Sequence, residues 1–150
     1  MVEPSERSEI TDEQKQYAAD VLHSLPFAKL IGMRLVDLKV GEATLKMEMR
    51  DDLQQPSGVL HGGVTATLID TAMAFAMRTQ LPLDQNTATI DLTVHYLRPH
   101  LTGTVVCTAK VVRAGKRIFT ISADVFGAEG KLIAMAISTY TKIGKEKSEK

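Results

Sequence analysis

The chain has 150 residues, and its 18 Lys and Arg side chains balance 18 Asp and Glu side chains, so the formal net charge at pH 7 is zero. A hydrophobic fraction of 44% and a charged fraction of 24% are typical of one folded domain and exclude intrinsic disorder for the bulk of the chain. The zero net charge argues against a nucleic-acid partner. The longest apolar runs have six residues, whereas roughly 20 are needed to span a bilayer, so we expect no membrane partner either.

Two features bear on the cellular compartment. The first ten residues hold three glutamates and no apolar signal segment, so we expect a cytoplasmic protein. Cys107 is the only cysteine, which excludes a disulfide or a cysteine-based metal cluster within one chain.

The first predicted element is an amphipathic helix over residues 11–25. Its apolar side chains recur at spacings of three and four residues, and Thr11 with Gln14 has the pattern of a capping box. Pro26 interrupts the helix. We expect an N-terminal extension over residues 1–26, a main domain over 27–144 and a disordered tail over 145–150.

Two strands are predicted next, over residues 33–40 and 42–50, with a tight turn at Gly41 between them. In the second strand apolar and polar residues alternate, which is typical of a half-buried strand. An aperiodic loop over residues 51–60 follows.

A long helix is predicted over residues 64–77, because its side chains are apolar on every side apart from three threonines and Asp70. A helix of this composition is normally buried. Four strands separated by turn signals follow, over residues 86–97, 103–113, 117–126 and 131–142. Short links favour antiparallel hairpins, so we predict an α+β fold with a curved six-stranded sheet round the buried helix.

Asp70 is the only formally charged side chain between His61 and Arg78. A lone carboxylate in a buried helix is costly. It is therefore either satisfied by a buried arginine or a cap, or used as a base or nucleophile, and we favour the functional interpretation.

His61, Gly62 and Gly63 stand at the predicted start of this helix. Free backbone N–H groups and the positive end of the helix dipole can hold a carbonyl oxygen as it gains charge. The glycines would let a substrate approach the backbone closely. A glycine pair before a helix can also be only a turn.

The spacing of His61 and Asp70 predicts an assembly. Nine residues at about 100° each place them on nearly opposite faces of one helix, so they should not meet within one chain. We therefore hypothesise two antiparallel copies of the helix side by side, with Asp70 of one chain facing residues 61–63 of the other. This arrangement predicts a homodimer with two composite sites.

Other chemistry has weaker support. The four histidines lack metal-ligand spacing, so we expect no metal. Arg113, Lys116 and Arg117 cluster at a hairpin tip around Gly115. Charges at turns are usually only solvated, but a phosphate-bearing ligand could use them.

Several segments together resemble the hotdog-fold acyl-CoA thioesterases of the PaaI type. They are His61-Gly62-Gly63 with Asp70 nine residues later, the strand over residues 89–99 and the hairpin over residues 112–117. The resemblance extends over residues 27–144. It implies the hotdog fold, in which a curved antiparallel six-stranded sheet wraps round a central helix, here with an extra N-terminal helix.

The resemblance also implies an activity and an assembly. The activity is hydrolysis of acyl-CoA to free acid and CoA, with CoA as part of the substrate and no cofactor. The assembly is a homodimer that often pairs into a homotetramer.

By position, the resemblance implies roles for single residues. Asp70 corresponds to the base or nucleophile, contributed across the dimer interface, and Gly63 to the backbone donor that polarises the thioester carbonyl. His61 helps to hold that loop, and Thr89 helps to place water. The residues expected to contact substrate or CoA are Gly62, Tyr96, Arg113, Gly115, Lys116, Arg117, Leu60 and Val64.

One position departs from the family pattern, since Gln55 stands where the family usually has Asn. Gln offers the same amide donors and acceptor on a longer arm, so Gln55 stays among the catalytic candidates.

Two alternatives stay open. Some hotdog proteins are acyl-thioester dehydratases or hydratases, although no second pairing of His with Glu or Asp is evident for that chemistry. A non-catalytic acyl-CoA sensor would bind the ester without hydrolysis, but one helix before the main domain is too little for a helix-turn-helix. The apolar pocket candidates suit an aryl or a medium-chain acyl group equally well.

Overall fold

The computed structural model describes residues 8–145. Within that range the chain forms the following helices and strands: α1 (Asp12–Ser24), α2 (Pro26–Ile31), β1 (Arg34–Lys39), β2 (Glu42–Glu48), α3 (Gly62–Arg78), β3 (Gln85–Tyr96), β4 (Thr104–Ala114), β5 (Ile118–Phe126) and β6 (Leu132–Lys145). β6 therefore reaches the first residue of the expected tail, and residues 146–150 of that tail lie outside the described part of the chain.

The N-terminal helix begins as its sequence predicts. Thr11 Oγ1 accepts a hydrogen bond from Gln14 N, and Gln14 Oε1 accepts one from Thr11 N, which completes the capping box. Pro26 occupies the first turn of α2, where its missing N–H costs nothing, and Gly32 ends α2 in the left-handed conformation.

α1 is attached to the domain by one ion pair and one buried side chain. Lys15 Nζ lies 2.8 Å from Asp37 Oδ1 on β1, and Leu22 is buried. The hydrogen bond from Lys15 lowers the pKa of Asp37, and the same bond raises the pKa of Lys15. α1 therefore covers the β1 edge of the sheet.

The six strands form one antiparallel sheet in the order β1-β2-β4-β5-β6-β3. β1 and β3 are its edges. The curved sheet packs round α3, so the predicted α+β hotdog fold is confirmed.

The core lies between α3 and the inner face of the sheet. Alternate residues of β2 are buried, as the sequence pattern predicts: Ala43, Leu45 and Met47 are at most 1% exposed. On the neighbouring β4 the Cys107 thiol is fully buried, and burial raises its pKa to about 12. Cys107 is therefore a core side chain.

α3 is not buried on all sides, which corrects the expectation from its composition. Seven of its residues face the core, among them Leu68, Ile69, Ala72 and Met73. Gly62 and Val64 in the first turn are partly open. The other residues that stay at least partly open recur at spacings of three and four, and we call them the open stripe: Gly63, Ala66, Thr67, Asp70, Thr71, Ala74, Phe75 and Arg78. Apolar composition could not reveal this stripe, because small uncharged side chains occupy most of it.

No helix within residues 8–145 is both long enough and apolar enough to cross a membrane.

Candidate active site

Asp70 lies on the open stripe, in the third turn of α3, with one carboxylate oxygen held by two hydroxyl groups. Thr89 Oγ1 donates to Asp70 Oδ1 at 2.8 Å, and the Tyr140 hydroxyl donates to the same oxygen at 2.5 Å. The Tyr140 hydroxyl also lies 2.8 Å from the backbone oxygen of Asp70. Among residues 8–145 no cation pairs with this carboxylate, so the structure does not support its interpretation as half of a buried ion pair.

A β-bulge positions Thr89 for this contact. The pairing of β3 with β6 shifts register between Thr89 and Asp91, and Ile90 stands out of the ladder with a 56% exposed side chain. Asp91 restores the register by accepting a hydrogen bond from Thr139 N at 2.8 Å. Bulges change the direction of the neighbouring side chain, and this one directs Thr89 towards α3.

Tyr140 is a site residue that the sequence analysis missed. It lies on β6, and its side chain is 2% exposed. Burial and then the hydrogen bond to Asp70 raise the pKa of Tyr140 far above its ordinary value. Both effects favour the protonated phenol, which is the form that donates a hydrogen bond to Asp70.

At the start of α3, one backbone N–H group is occupied by a side chain and another is free. His61 is the N-cap residue, and its Nδ1 accepts a hydrogen bond from Gly63 N at 2.9 Å. The Gly63 N–H, which the sequence analysis assigned as the carbonyl donor, is therefore occupied within the chain. The N–H of Gly62 has no acceptor among residues 8–145, so it is the free donor at the positive end of this helix.

Tyr96 fixes Gly62 from the end of β3. Its hydroxyl donates to the Gly62 backbone oxygen at 2.7 Å, and a Cβ on Gly62 would lie only 3.1 Å from Cζ of its ring. Burial raises the pKa of Tyr96. The side chain is still 55% exposed, so it can contact a ligand as well as the glycine.

Gln55 makes local contacts in the loop before α3. Its Oε1 accepts a hydrogen bond from Ser57 N at 3.0 Å, and its Nε2 donates to Ser57 Oγ. Both ends of the amide are thus engaged with Ser57.

A cleft of about 350 Å³ opens beside the first turn of α3. Gln55, Leu60, Gly62 and Tyr96, four of the predicted site residues, line it. Val64 does not line it and packs against the core instead. The other lining residues are Val59, Thr65, Leu97, Arg98, Pro99, His100, Ile133 and Ala134.

The cleft and Asp70 belong to separate parts of one protomer. Within the part of the chain that the structure describes, no Asp or Glu lines the cleft. Eight residues separate Gly62 from Asp70, which is about 12 Å along a helix axis. In one protomer, the Gly62 N–H and the cleft therefore lie at the start of α3, and the hydrogen-bonded carboxylate of Asp70 lies farther along the same helix.

A third group of predicted site residues lies on the β4–β5 hairpin. Arg113 is the second-last residue of β4, and Lys116 and Arg117 lie in the turn. All three side chains are exposed. Gly115 is required there, because a Cβ would lie 2.6 Å from the backbone oxygen of Ile118. Among residues 8–145 no carboxylate pairs with these cations, and no group of three or more His, Cys, Asp or Glu side chains could hold a metal ion.

Comparison with known proteins places this geometry in a family. The sequence profile of the Thioesterase superfamily matches residues 57–134. Human acyl-coenzyme A thioesterase 13 is 31% identical over 118 residues, which cover 75% of this chain and 82% of that protein. The 1,4-dihydroxy-2-naphthoyl-CoA hydrolase of Listeria monocytogenes is 28% identical over 86 residues, which cover 57% of this chain and 70% of that protein.

A solved structure agrees with these sequence matches. The PaaI protein of the Escherichia coli phenylacetic acid degradation operon superposes with a TM-score of 0.79 at 25% identity, over 87% of this chain and 93% of that chain.

Proposed function

Because the chain belongs to the thioesterase superfamily and is a thioester hydrolase, we propose that it hydrolyses aryl- or medium-chain acyl-CoA esters at two composite sites of a homodimer. The observation that carries this proposal is the separation of Asp70 from the cleft at Gly62. Each protomer holds both halves of a thioesterase site, but the two halves do not meet within it.

A second copy of this chain would bring the halves together. If two α3 helices pack antiparallel with the partner's Asp70 opposite Gly62, residues whose numbers sum to about 132 face each other. The axis of symmetry then passes near Ala66, whose small side chain allows close approach of the helices.

The edge strand supports the same partner. Among residues 8–145, β3 is hydrogen-bonded only to β6, so no described strand pairs with the other side of this 12-residue strand. A long unpaired edge is a surface for strand addition. The contact of Thr89 with Asp70 makes this edge continuous with the open stripe. A second copy would therefore cover both surfaces at once. We expect such dimers to pair further into tetramers.

The chemistry follows from this placement. The thioester oxygen accepts the hydrogen bond of Gly62 N–H, and the helix dipole stabilises the negative charge that develops on it. This proposal moves the donor role from Gly63 to Gly62, because His61 already accepts the Gly63 N–H. Arg98 and the Gln55 amide flank the same cleft.

The partner's Asp70 supplies the second half of the reaction. As a base it removes a proton from water, whose oxygen bonds to the carbonyl carbon; the carbon–sulfur bond then breaks, and the CoA thiolate leaves and takes up the proton. As a nucleophile it bonds to that carbon directly, the carbon–sulfur bond breaks and the CoA thiolate leaves. Water then hydrolyses the resulting anhydride to the free acid and the Asp70 carboxylate, and the thiolate takes up the proton released. Acid quenching followed by mass spectrometry distinguishes these routes, because only the second leaves the acyl group on Asp70.

The β4–β5 hairpin gives the CoA portion of the substrate a place to bind. Arg113, Lys116 and Arg117 present unpaired positive charge, and the nucleotide end of CoA carries phosphates. The apolar lining of the cleft by Leu60, Leu97 and Ile133 suits an aryl or medium-chain acyl group.

The test is CoA release from phenylacetyl-, hydroxybenzoyl- and straight-chain acyl-CoA by the wild type and by Asp70→Asn. We expect turnover by the wild type and a loss of about 10²- to 10⁴-fold in kcat for the variant, with the melting temperature retained. Asp124→Asn is the matched control, because that aspartate is exposed on β5 between the buried residues Ala123 and Val125. Full activity of Asp70→Asn would overturn the site, and absence of turnover in the wild type would overturn the proposed substrate class.

A further inference from the structure

We propose that Tyr140 is a positioning residue for Asp70, which fixes Oδ1 so that Oδ2 is the oxygen presented to the substrate. This inference rests on the proposed function, since it concerns the carboxylate that acts in that reaction. It assigns the orientation of the carboxylate to a side chain on β6 that touches no substrate.

The two oxygens of Asp70 have different surroundings. Oδ1 accepts two hydroxyl donors, Tyr140 at 2.5 Å and Thr89 at 2.8 Å. Among residues 8–145, Oδ2 has neither a hydrogen bond nor an ion pair. A free carboxylate rotates about its terminal torsion, and two donors that converge on one oxygen from β3 and β6 stop that rotation.

Tyr140 is suited to this role because its own position is fixed. Its ring is 2% exposed, in the core. Its hydroxyl also lies 2.8 Å from the backbone oxygen of Asp70, so it fixes the helix turn as well as the side chain. Thr89 is exposed at the sheet edge, so Tyr140 is the more rigid of the two donors.

The catalytic consequence concerns orientation. In the proposed dimer, Oδ2 has to point across the interface at water or at the thioester carbon. Loss of the Tyr140 hydroxyl leaves Oδ1 with one exposed donor and lets the carboxylate rotate. Misplacement of a reacting group by about 1 Å can cost about a hundredfold in rate.

The three tyrosines of the chain allow a matched test. Tyr140→Phe, Tyr96→Phe and Tyr17→Phe each remove one hydroxyl and keep the ring. Tyr17 is 57% exposed on α1 and is not among the residues that line the cleft or bond to Asp70, so its variant is the control. Steady-state kinetics with the best acyl-CoA of the panel and thermal melts by circular dichroism are measured for each protein.

We expect Tyr140→Phe to lower kcat by about ten- to a hundredfold while KM stays within about twofold. Tyr17→Phe should keep wild-type kinetics. Thr89→Val removes the other donor to Asp70 Oδ1, so it should show the same loss of kcat with KM retained. This variant tests whether the hydrogen bonds to Oδ1 orient the carboxylate even if Tyr140→Phe folds poorly.

Two results would overturn the inference while leaving the proposed function intact: wild-type kcat in Tyr140→Phe, or a change in KM alone. Failure of the wild type to release CoA from any ester would instead overturn the proposed function, and with it the role of Tyr140 in catalysis.

Discussion

Tyr96 donates its hydroxyl to the backbone oxygen of Gly62 at 2.7 Å while its ring lies where a Cβ on that glycine would have to go. The end of β3 thus fixes the first turn of α3. Because the N–H of Gly62 is the free donor at the start of this helix, the same contact sets the direction of the donor.

Gly62→Ala should lower kcat. The new methyl would lie 3.1 Å from Cζ of Tyr96, so the ring has to move and its hydrogen bond to the glycine oxygen is strained. We expect kcat to fall about tenfold or more, in line with the loss of an oxyanion donor. Gly144→Ala is the control, because a Cβ there meets nothing within 4 Å. Equal kinetics of the two variants would show that the contact of Tyr96 with Gly62 does not set the position of the donor.

The charges of the β4–β5 hairpin should act on binding rather than on chemistry. Replacement of Arg113, Lys116 and Arg117 by Gln should raise KM for acyl-CoA about tenfold with kcat unchanged, since each removes one contact to phosphate. The increase should shrink at high salt, which screens exposed charges. An acyl-pantetheine substrate, which lacks the nucleotide, should not distinguish the variant from the wild type.

Lys131→Gln is the control for that experiment. Lys131 is exposed in the turn between β5 and β6, at the opposite end of β5 from the hairpin, and pairs with Glu129. A similar rise in KM in this variant would show that the hairpin acts only through the overall charge of the protein.

The Lys15–Asp37 pair should give α1 a pH-dependent attachment. The hydrogen bond from Lys15 lowers the pKa of Asp37 from 3.8, so this contribution to stability is present above pH 3.8 and is lost as the pH falls through the lowered pKa. For Lys15 the pKa is raised from 10.5, so its contribution is present below pH 10.5 and is lost as the pH rises further.

Lys15→Gln should therefore lower the midpoint of urea denaturation at pH 7 by a small amount, because both side chains are more than a third exposed. The difference from the wild type should shrink progressively as the pH falls below 3.8. Lys46→Gln, which changes an exposed lysine of β2 outside this pair, should show no such pH-dependent difference. A difference that stays constant over the whole acid range would show that Lys15 stabilises α1 by packing.

The sequence predicted those parts of the molecule that depend on local signals. The capping box of Thr11 belongs to this class, as do the alternation along β2 and the position of Asp70 on the central helix. These follow from the periodicity and chemistry of neighbouring residues. Local pattern also indicated an antiparallel sheet curved round the helix, and the family resemblance implied the hotdog fold. The order of the strands in the sheet was not predicted, because it depends on pairing between distant segments.

The remaining features depend on contacts between distant segments. Tyr140 meets Asp70 across 70 positions of sequence, and only the register of β6 with β3 decides that its hydroxyl arrives there. No turn residue in the sequence predicts the bulge at Ile90 that directs Thr89 towards α3. The engagement of Gly63 N–H by His61 is local, but it depends on the side-chain conformation of the N-cap, which composition does not determine.

The composite site gives the sharpest prediction. If the partner's Asp70 acts at Gly62, then Asp70→Asn and Gly62→Val damage different halves of each site. In a heterodimer of the two variants one site collects both substitutions, and the other is built from an intact Asp70 and an intact Gly62. Each homodimer should be inactive. Random co-assembly makes half of the dimers heterodimers, and each heterodimer has one intact site of two. The mixture should therefore show about a quarter of wild-type activity.

The measurement is CoA release after the two variants are co-expressed with different affinity tags and purified through both tags in succession. Tandem-purified heterodimers should show about half of the wild-type kcat per dimer, because one site of two is intact. The KM should be that of the wild type. A co-expressed double variant with an unsubstituted chain is the control, since it places both substitutions on one chain and leaves every composite site with one damaged half. Activity only in that control pair would mean that Asp70 and Gly62 act together within one protomer, and the composite site would be wrong.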